Sequence, residues 1–213
     1  MEKHNHTHII EQVPVDFYQK GVERNLLQRI WHTNKLRVVL SLIDFTPKKV
    51  LDVGCASGWF LSNIAKKFPK ASYYGIDVYD KGIAHAKLLY PKMQFRVADA
   101  HAIPFPKETF DLIICTEVLE HVDDPREVLL EIRRVLAKNG KVIVELDSGS
   151  LLFSIAWYLW RKVYGRVWND SHLHSFTAEK LEQVTTACGF AILEKRTFNF
   201  GMAISFLLGK ENI

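Results

Sequence analysis

Cysteine is scarce in this chain: there are three in 213 residues, an odd number at unmatched spacings, so no disulfide framework can be read from them. No apolar signal stretch opens the chain either, and free thiols in a reducing, cytoplasmic setting are expected. Neither sign of charge dominates. Lys and Arg number 28 against 24 Asp and Glu, a scattered net charge of +4 that neither demands nucleic acid nor excludes it. No RNA-binding module is appended, and nucleic acid is not an expected partner. Internal repeats are absent, and 48% hydrophobic residues suffice for one substantial core, so 1–213 reads as a single domain. Phosphate-cradling motifs are missing: Ala56 stands where the G-x-G-x-x-G fingerprint needs its second glycine, and no GK[ST] follows. A transmembrane span is excluded, because the apolar run after Leu151 meets charge at Arg161.

What is present begins with Val50 to Gly58, VLDVGCASG. Val50, Leu51 and Val53 suit a buried parallel strand, Gly54 and Gly58 permit a tight turn, and Phe60, Leu61, Ile64, Ala65 and Phe68 form a helical stripe. A strand, a glycine turn and a helix N-terminus bring backbone N–H groups close to a ligand. Strands at about 49–53, 72–77, 93–98, 110–115 and 140–146 alternate with helical stretches, which is βαβ logic. The helix after the fourth strand is the best marked. Asp124 is its N-cap, Pro125 fits the first turn, Val128, Leu129, Ile132, Val135 and Leu136 form its stripe, and Gly140 after Asn139 terminates it. A further helix over about 177–188 precedes two strands, Phe190 to Arg196 and Met202 to Leu208, joined through a turn at Asn199 to Gly201.

VLDVGCASGWF resembles motif I of the class I S-adenosylmethionine-dependent methyltransferases, with Ala56 departing from the usual middle glycine of D-x-G-x-G-x-G. Three further segments follow in family order. Asp77 lies 23 residues after Gly54 and closes the second strand, Asp99 closes the third, and PFPKETFDLIICTEVLEHV carries the fourth. The EVLEH string is similar to that of the small-molecule branch related to ubiquinone and menaquinone biosynthesis methyltransferases. The resemblance implies a Rossmann-like seven-stranded, mostly parallel sheet with the last strand antiparallel and helices on both faces. It also implies S-adenosyl-L-methionine as cofactor, with S-adenosyl-L-homocysteine as product. By the same resemblance, Asp52 and Gly54 would serve the methionyl end, with Gly58 beside them. Asp77 would hold the ribose, Asp99 and Ala100 the adenine, and the Thr116 main chain would close the far side.

Methyl transfer needs alignment and exclusion of water more than a resident nucleophile. If the acceptor is a hydroxyl, a general base helps, and Glu117, Glu120 and His121 are candidates, with His172 and His174 as second choices. Glu117 and His121 are expected one helical turn apart. Together with Glu120 they match an E-x-x-E-H arrangement tied to magnesium in some quinone-precursor O-methyltransferases; its plainer reading is a polar helix start, and no metal is expected. Residues 1–46 read as a helical cap over the cofactor mouth, carrying Tyr18, Arg24, Trp31 and Arg37. A lid insertion of about 148–175 holds three of the five tryptophans. At helical spacing Phe153, Ala156, Trp157, Trp160, Val163, Tyr164, Val167 and Trp168 form one face, with Lys162 and Arg166 opposite and Arg161 flanking. Three readings stay open for Leu151 to Trp168: a lid walling the acceptor pocket, an entrance for a lipid or quinone-like acceptor, and a helix dipping into a membrane surface. Gly149 and Gly165 are candidate hinges. The enzyme expected is an S-adenosylmethionine-dependent methyltransferase (EC 2.1.1.-) acting on a small, apolar acceptor. The rivals are an RNA or protein methyltransferase and a catalytically silent subunit using the lid as a partner interface.

Overall fold

Central strands that are apolar on both faces must be covered on both sides, and the chain folds accordingly. In the computed structural model, which describes residues 13–163 and 173–211, one seven-stranded sheet has the order β3-β2-β1-β4-β5-β7-β6. Its strands are β1 (Lys49–Val53), β2 (Ser72–Asp77), β3 (Gln94–Val97), β4 (Phe110–Thr116), β5 (Leu136–Asp147), β6 (Phe190–Phe198) and β7 (Ala203–Lys210). Pairing is parallel from β3 through β5, and β7 lies antiparallel to both β5 and β6, as the resemblance implied. The chain steps outward from β1 to β3 and then returns to place β4 on the other side of β1. That reversal opens a crevice beyond the carboxyl ends of β1 and β4.

The helices are α1 (Phe17–Arg24), α2 (Leu26–Leu42), α3 (Trp59–Lys67), α4 (Asp80–Leu89), α5 (Pro125–Val135), α6 (Leu151–Val163) and α7 (Ala178–Ala187). Alternation along the strands sorts them onto two faces. Leu51, Val53, Ile113 and Cys115 pack with Val128, Ile132 and Leu181 of α5 and α7, while Val50, Leu112 and Ile114 pack with Val39, Leu61 and Ile83 of α2, α3 and α4. Each such fully buried aliphatic side chain contributes about 1.5–3 kcal/mol relative to exposure. All three cysteines are buried free thiols.

Helix α5 starts as its sequence dictates, with Asp124 Oδ1 accepting from Arg126 N (2.8 Å) and Glu127 N (3.3 Å). Its end differs from the expectation at Gly140. The helix stops at Val135 because Leu136 turns to extended backbone (φ −68°, ψ 134°) and buries its side chain completely. Leu136 pairs with Phe110 and Lys141 with Leu112, so the residues between them bulge from the ladder. The expected helix start at Glu117 to His121 is also replaced, here by a turn in which His121 N donates to Val118 O at 2.9 Å. Helix geometry is unavailable at its first residue, since Glu117 has φ +52°.

The N-terminal helices reach over the carboxyl edge of the sheet. Asn25 caps α2 by accepting from Leu27 N and Gln28 N, and Tyr79 Oη donates to Val13 O at 2.6 Å, tying the cap to the start of α4. Gly149 lies before α6 at φ +61°. Gly165, Tyr164, Arg166, Val167, Trp168 and His172 lie outside the described residues.

Candidate active site

The turn after β1 is held by its neighbour strand: Gly54 N and Cys55 N both donate to Ile76 O, at 2.9 and 3.0 Å. Asp77, at the end of β2, then fixes the next residue, its Oδ2 accepting from Ala56 N at 2.7 Å and its Oδ1 from Tyr79 N at 2.9 Å. Burial pushes this carboxyl up while the backbone donors oppose the shift. Gly54 has φ +77°, and a Cβ there would lie 2.3 Å from Val118 Cγ2, so only glycine fits. Ala56 adopts φ +46°, the left-handed region that the missing middle glycine would occupy without cost. Gly58 caps α3, with its α-carbon against the Phe95 and Tyr90 rings.

Beyond this turn a cavity of about 610 Å³ extends from the strand ends to the lid. Gly54, Asp77, Asp99 and Ala100 line one end, and Glu117, Glu120 and His121 line its floor. Asp52 and Thr116 line a smaller recess of about 40 Å³ behind the turn, which Gly54, Ser57 and Glu117 share. Gly58 lines neither space. Asp99 is exposed, its Oδ1 accepting from His101 N at 2.9 Å and lying 2.6 Å from His101 Nδ1. His101 Nε2 accepts from Asp124 N at 3.3 Å, which leaves Nδ1 as the protonated nitrogen that donates to Asp99. His174 stands apart from the cavity lining, its Nε2 3.0 Å from Val122 O.

The opposite wall is aromatic. Trp31 of α2 meets Phe153 of α6 (centroids 6.4 Å), Phe153 stacks on Trp157 (5.8 Å), and Trp157 stacks on Trp160 (5.1 Å). The face of α6 built on Phe153, Ala156, Trp157 and Trp160 therefore turns into the cavity. Tyr18 and Trp31 of the N-terminal cap line it too, whereas Arg24 and Arg37 are exposed.

The basic residue that reaches the site is Lys35, only 3% exposed. Its Nζ pairs with Glu117 Oε1 and lies 3.5 Å from Glu145 Oε2, while Trp31 Nε1 donates to the same Glu117 oxygen at 3.4 Å. Burial opposes ionisation of Glu117, but the Lys35 charge outweighs it and holds the carboxyl below its usual range. Lys35 is raised for the reciprocal reason: the charges of Glu117 and Glu145 overcome its burial. His32, buried beside it, is pushed down to about 4 by burial and then by the Lys35 charge. Glu120 is 3% exposed with no partner for either carboxyl oxygen, and burial lifts it to about 8. Lys35 lacked a sequence signal because its partners, Glu117 after β4 and Glu145 in β5, lie far along the chain, and His32 lies between Tyr18 and Trp59 of other helices. Ser57 of the turn after β1 and Asn199 and Phe200 of the β6–β7 turn also line the cavity.

The turn fits a ligand with polar edges. Asp52 Oδ2 and Ser57 Oγ are buried beside it without partners, and burial places Asp52 well above its ordinary range. Such orphaned acceptors suit the donors of an adenosyl amino acid. Among the described residues no group of three or more His, Cys, Asp or Glu is arranged to hold a metal ion.

The sheet order, the crevice at its reversal and a glycine turn at the end of β1 define the class of protein. A family described as "Methyltransferase domain" matches residues 23–195, and the chain belongs to the class I S-adenosylmethionine-dependent methyltransferases. It is 27% identical over 146 residues to a malonyl-[acyl-carrier protein] O-methyltransferase of Hahella chejuensis, covering 67% of this chain and 50% of that protein. It is 32% identical over 108 residues to the demethylmenaquinone methyltransferase of Thermotoga maritima, covering 51% and 47%. The chain thus spans about half the length of these curated relatives. A solved Thermotoga maritima structure, described as an S-adenosylmethionine-dependent methyltransferase and possible histamine N-methyltransferase, shares the fold. Its TM-score is 0.73 at 20% identity, over 98% of this chain and 100% of that one.

Proposed function

We propose that the chain transfers a methyl group from S-adenosylmethionine to a small acceptor with an apolar body. The observation that carries this reading is the continuity of one cavity from the Gly54–Asp77 turn to the Trp31–Phe153–Trp157 wall. About 610 Å³ is within the range of sites that enclose a drug-sized ligand. When bound, S-adenosylmethionine supplies an electrophilic sulfonium methyl. The protein's own part is to hold it with Asp52, Gly54, Asp77, Asp99, Ala100 and the Thr116 main chain, to orient the acceptor against the aromatic wall, and to exclude water. Glu117 is committed to Lys35 and Trp31, which suits it to positioning rather than to proton removal. His121 lines the cavity floor and remains a candidate base for a hydroxyl acceptor; His172 is a second. The inward-facing tryptophans favour this reading over a partner interface built on them.

A second reading is favoured by the outer face of α6. Leu151 (78%), Leu152 (49%), Ile155 (51%) and Leu159 (58%) are exposed around the cavity's lid, as apolar surface is on helices that dip into a membrane surface. No helix among the described residues is long and apolar enough to cross a membrane. A panel of acceptors offered with radiolabelled S-adenosylmethionine tests the primary reading. Label is expected in organic-extractable products, and label found only in RNA or protein would overturn it.

A further inference from the structure

Six carboxyl side chains line the large cavity, Asp77, Asp99, Glu117, Glu120, Asp123 and Asp147, and no Lys or Arg does among the described residues. Three of these acids have structural work. Asp77 organises the glycine turn, Asp99 holds His101, and Glu117 holds Lys35. Glu120 is different. Its main-chain oxygen is pinned by Leu173 N (2.8 Å) and His174 N (3.1 Å), so the residue is fixed in place, yet its side chain is buried and no donor from another residue reaches either carboxyl oxygen. An unsatisfied carboxyl in such a place costs stability until something donates to it.

From this geometry we infer that the acceptor carries a basic nitrogen, an aliphatic or aromatic amine on an apolar body, and that Glu120 is the residue that receives it. The inference rests on the methyl-transfer reading of the same cavity. A carboxylate or phosphate head would meet a lining whose described residues include six acids and no Lys or Arg, the nearby Lys35 being already paired with Glu117, whereas an ammonium would meet the Glu120 carboxyl at the cavity floor. The same contact frees the nucleophile: the ammonium N–H bond breaks, its proton goes to a Glu120 oxygen, and a neutral amine with its lone pair is left beside a neutral carboxyl. Because burial lifts Glu120 to about 8, the free carboxyl is largely protonated at pH 7, and its ionised form, the one that takes the proton, prevails only above about 8.

Calorimetric titration of the full chain saturated with S-adenosylhomocysteine tests this, using two matched sets: tryptamine, tryptophol and indole-3-propionate, then octylamine, octanol and octanoate. In at least one set the amine should bind roughly tenfold or more tightly than the alcohol, with the acid weakest. Glu120→Gln should erase the amine preference, leave alcohol affinity within about twofold and leave S-adenosylhomocysteine affinity unchanged. Glu120→Asp, which keeps a carboxyl, should retain part of the preference and serves if the Gln variant fails to fold. No amine preference in either set, or a preference that survives Glu120→Gln, overturns the inference. Failure of S-adenosylhomocysteine to bind the wild type would instead overturn the reading beneath it, so the two failures are distinguishable.

Discussion

The two ends of the cavity are built in opposite ways. At the cofactor end the chain uses consecutive strand termini, and main chain does most of the holding: Ile76 O fixes the turn after β1, and Asp77 binds two backbone N–H groups. At the acceptor end side chains from distant segments converge, with Trp31 from α2, Glu117 and Glu120 after β4, and Phe153 and Trp157 from α6, while Lys35 of α2, which lines the recess behind the turn, ties Glu117 to Glu145 of β5. The first end is a local consequence of strand–turn–helix geometry. The second exists only once the sheet has brought β4 and β5 under α2, which lets it vary while the scaffold is kept.

That contrast predicts where damage is felt. The largest stability effect should come from the charges that converge from distant segments. Lys35→Met leaves Glu117 and Glu145 buried without their cation and should cost about 3–5 kcal/mol in urea unfolding. Adding Glu117→Gln to it should recover part of the loss, and full additivity would break the claim that these charges act as one unit. At the cofactor end, Gly54→Ala meets both the φ of +77° and the Val118 methyl, and should cost roughly 2 kcal/mol with loss of cofactor binding.

The pH dependence has a smaller slope and a definite sign. Glu120 is raised to about 8, so its stabilising contribution is present below its unfolded range and fades as pH climbs toward 8. Glu145 is raised in the same direction by burial. His32, lowered to about 4 by burial and the Lys35 charge, contributes stability that is present above its unfolded value and is lost as pH falls through about 4. Above about pH 6.5 the histidine no longer opposes the acids. Unfolding free energy of the ligand-free protein should therefore fall between about pH 6.5 and 8 by up to roughly 1.4 kcal/mol per unit for each acid, and Glu120→Gln should flatten the fall. The smallest effect is expected at Ala56→Gly. Relief of the left-handed alanine is offset by the entropy of glycine, so thermal unfolding should report a change below about 1 kcal/mol.

The same contrast explains what the sequence made legible. The strands, the Asp124 cap and the acids at the ends of β2 and β3 follow from short-range periodicity and capping, and their order carried the family resemblance. Lys35 was not legible, because a lysine in an amphipathic helix reads as surface until β4 and β5 are seen beneath it. The Glu117 to His121 segment read as helical from its spacing, but the ion pair with Lys35 and the positive φ at Glu117 hold it as a turn. Gly140 read as a helix terminator, whereas burial of Leu136 ended the helix earlier.

The central claim is that cofactor and acceptor share one cavity but are held by separable ends of it. Calorimetric titration of S-adenosylmethionine into wild type, Asp77→Ala and Trp157→Ala tests this most directly. The account predicts binding to wild type, a loss of about hundredfold or more in Asp77→Ala, and affinity within about threefold of wild type in Trp157→Ala. Unchanged binding in Asp77→Ala, or an equal loss in both variants, would contradict it.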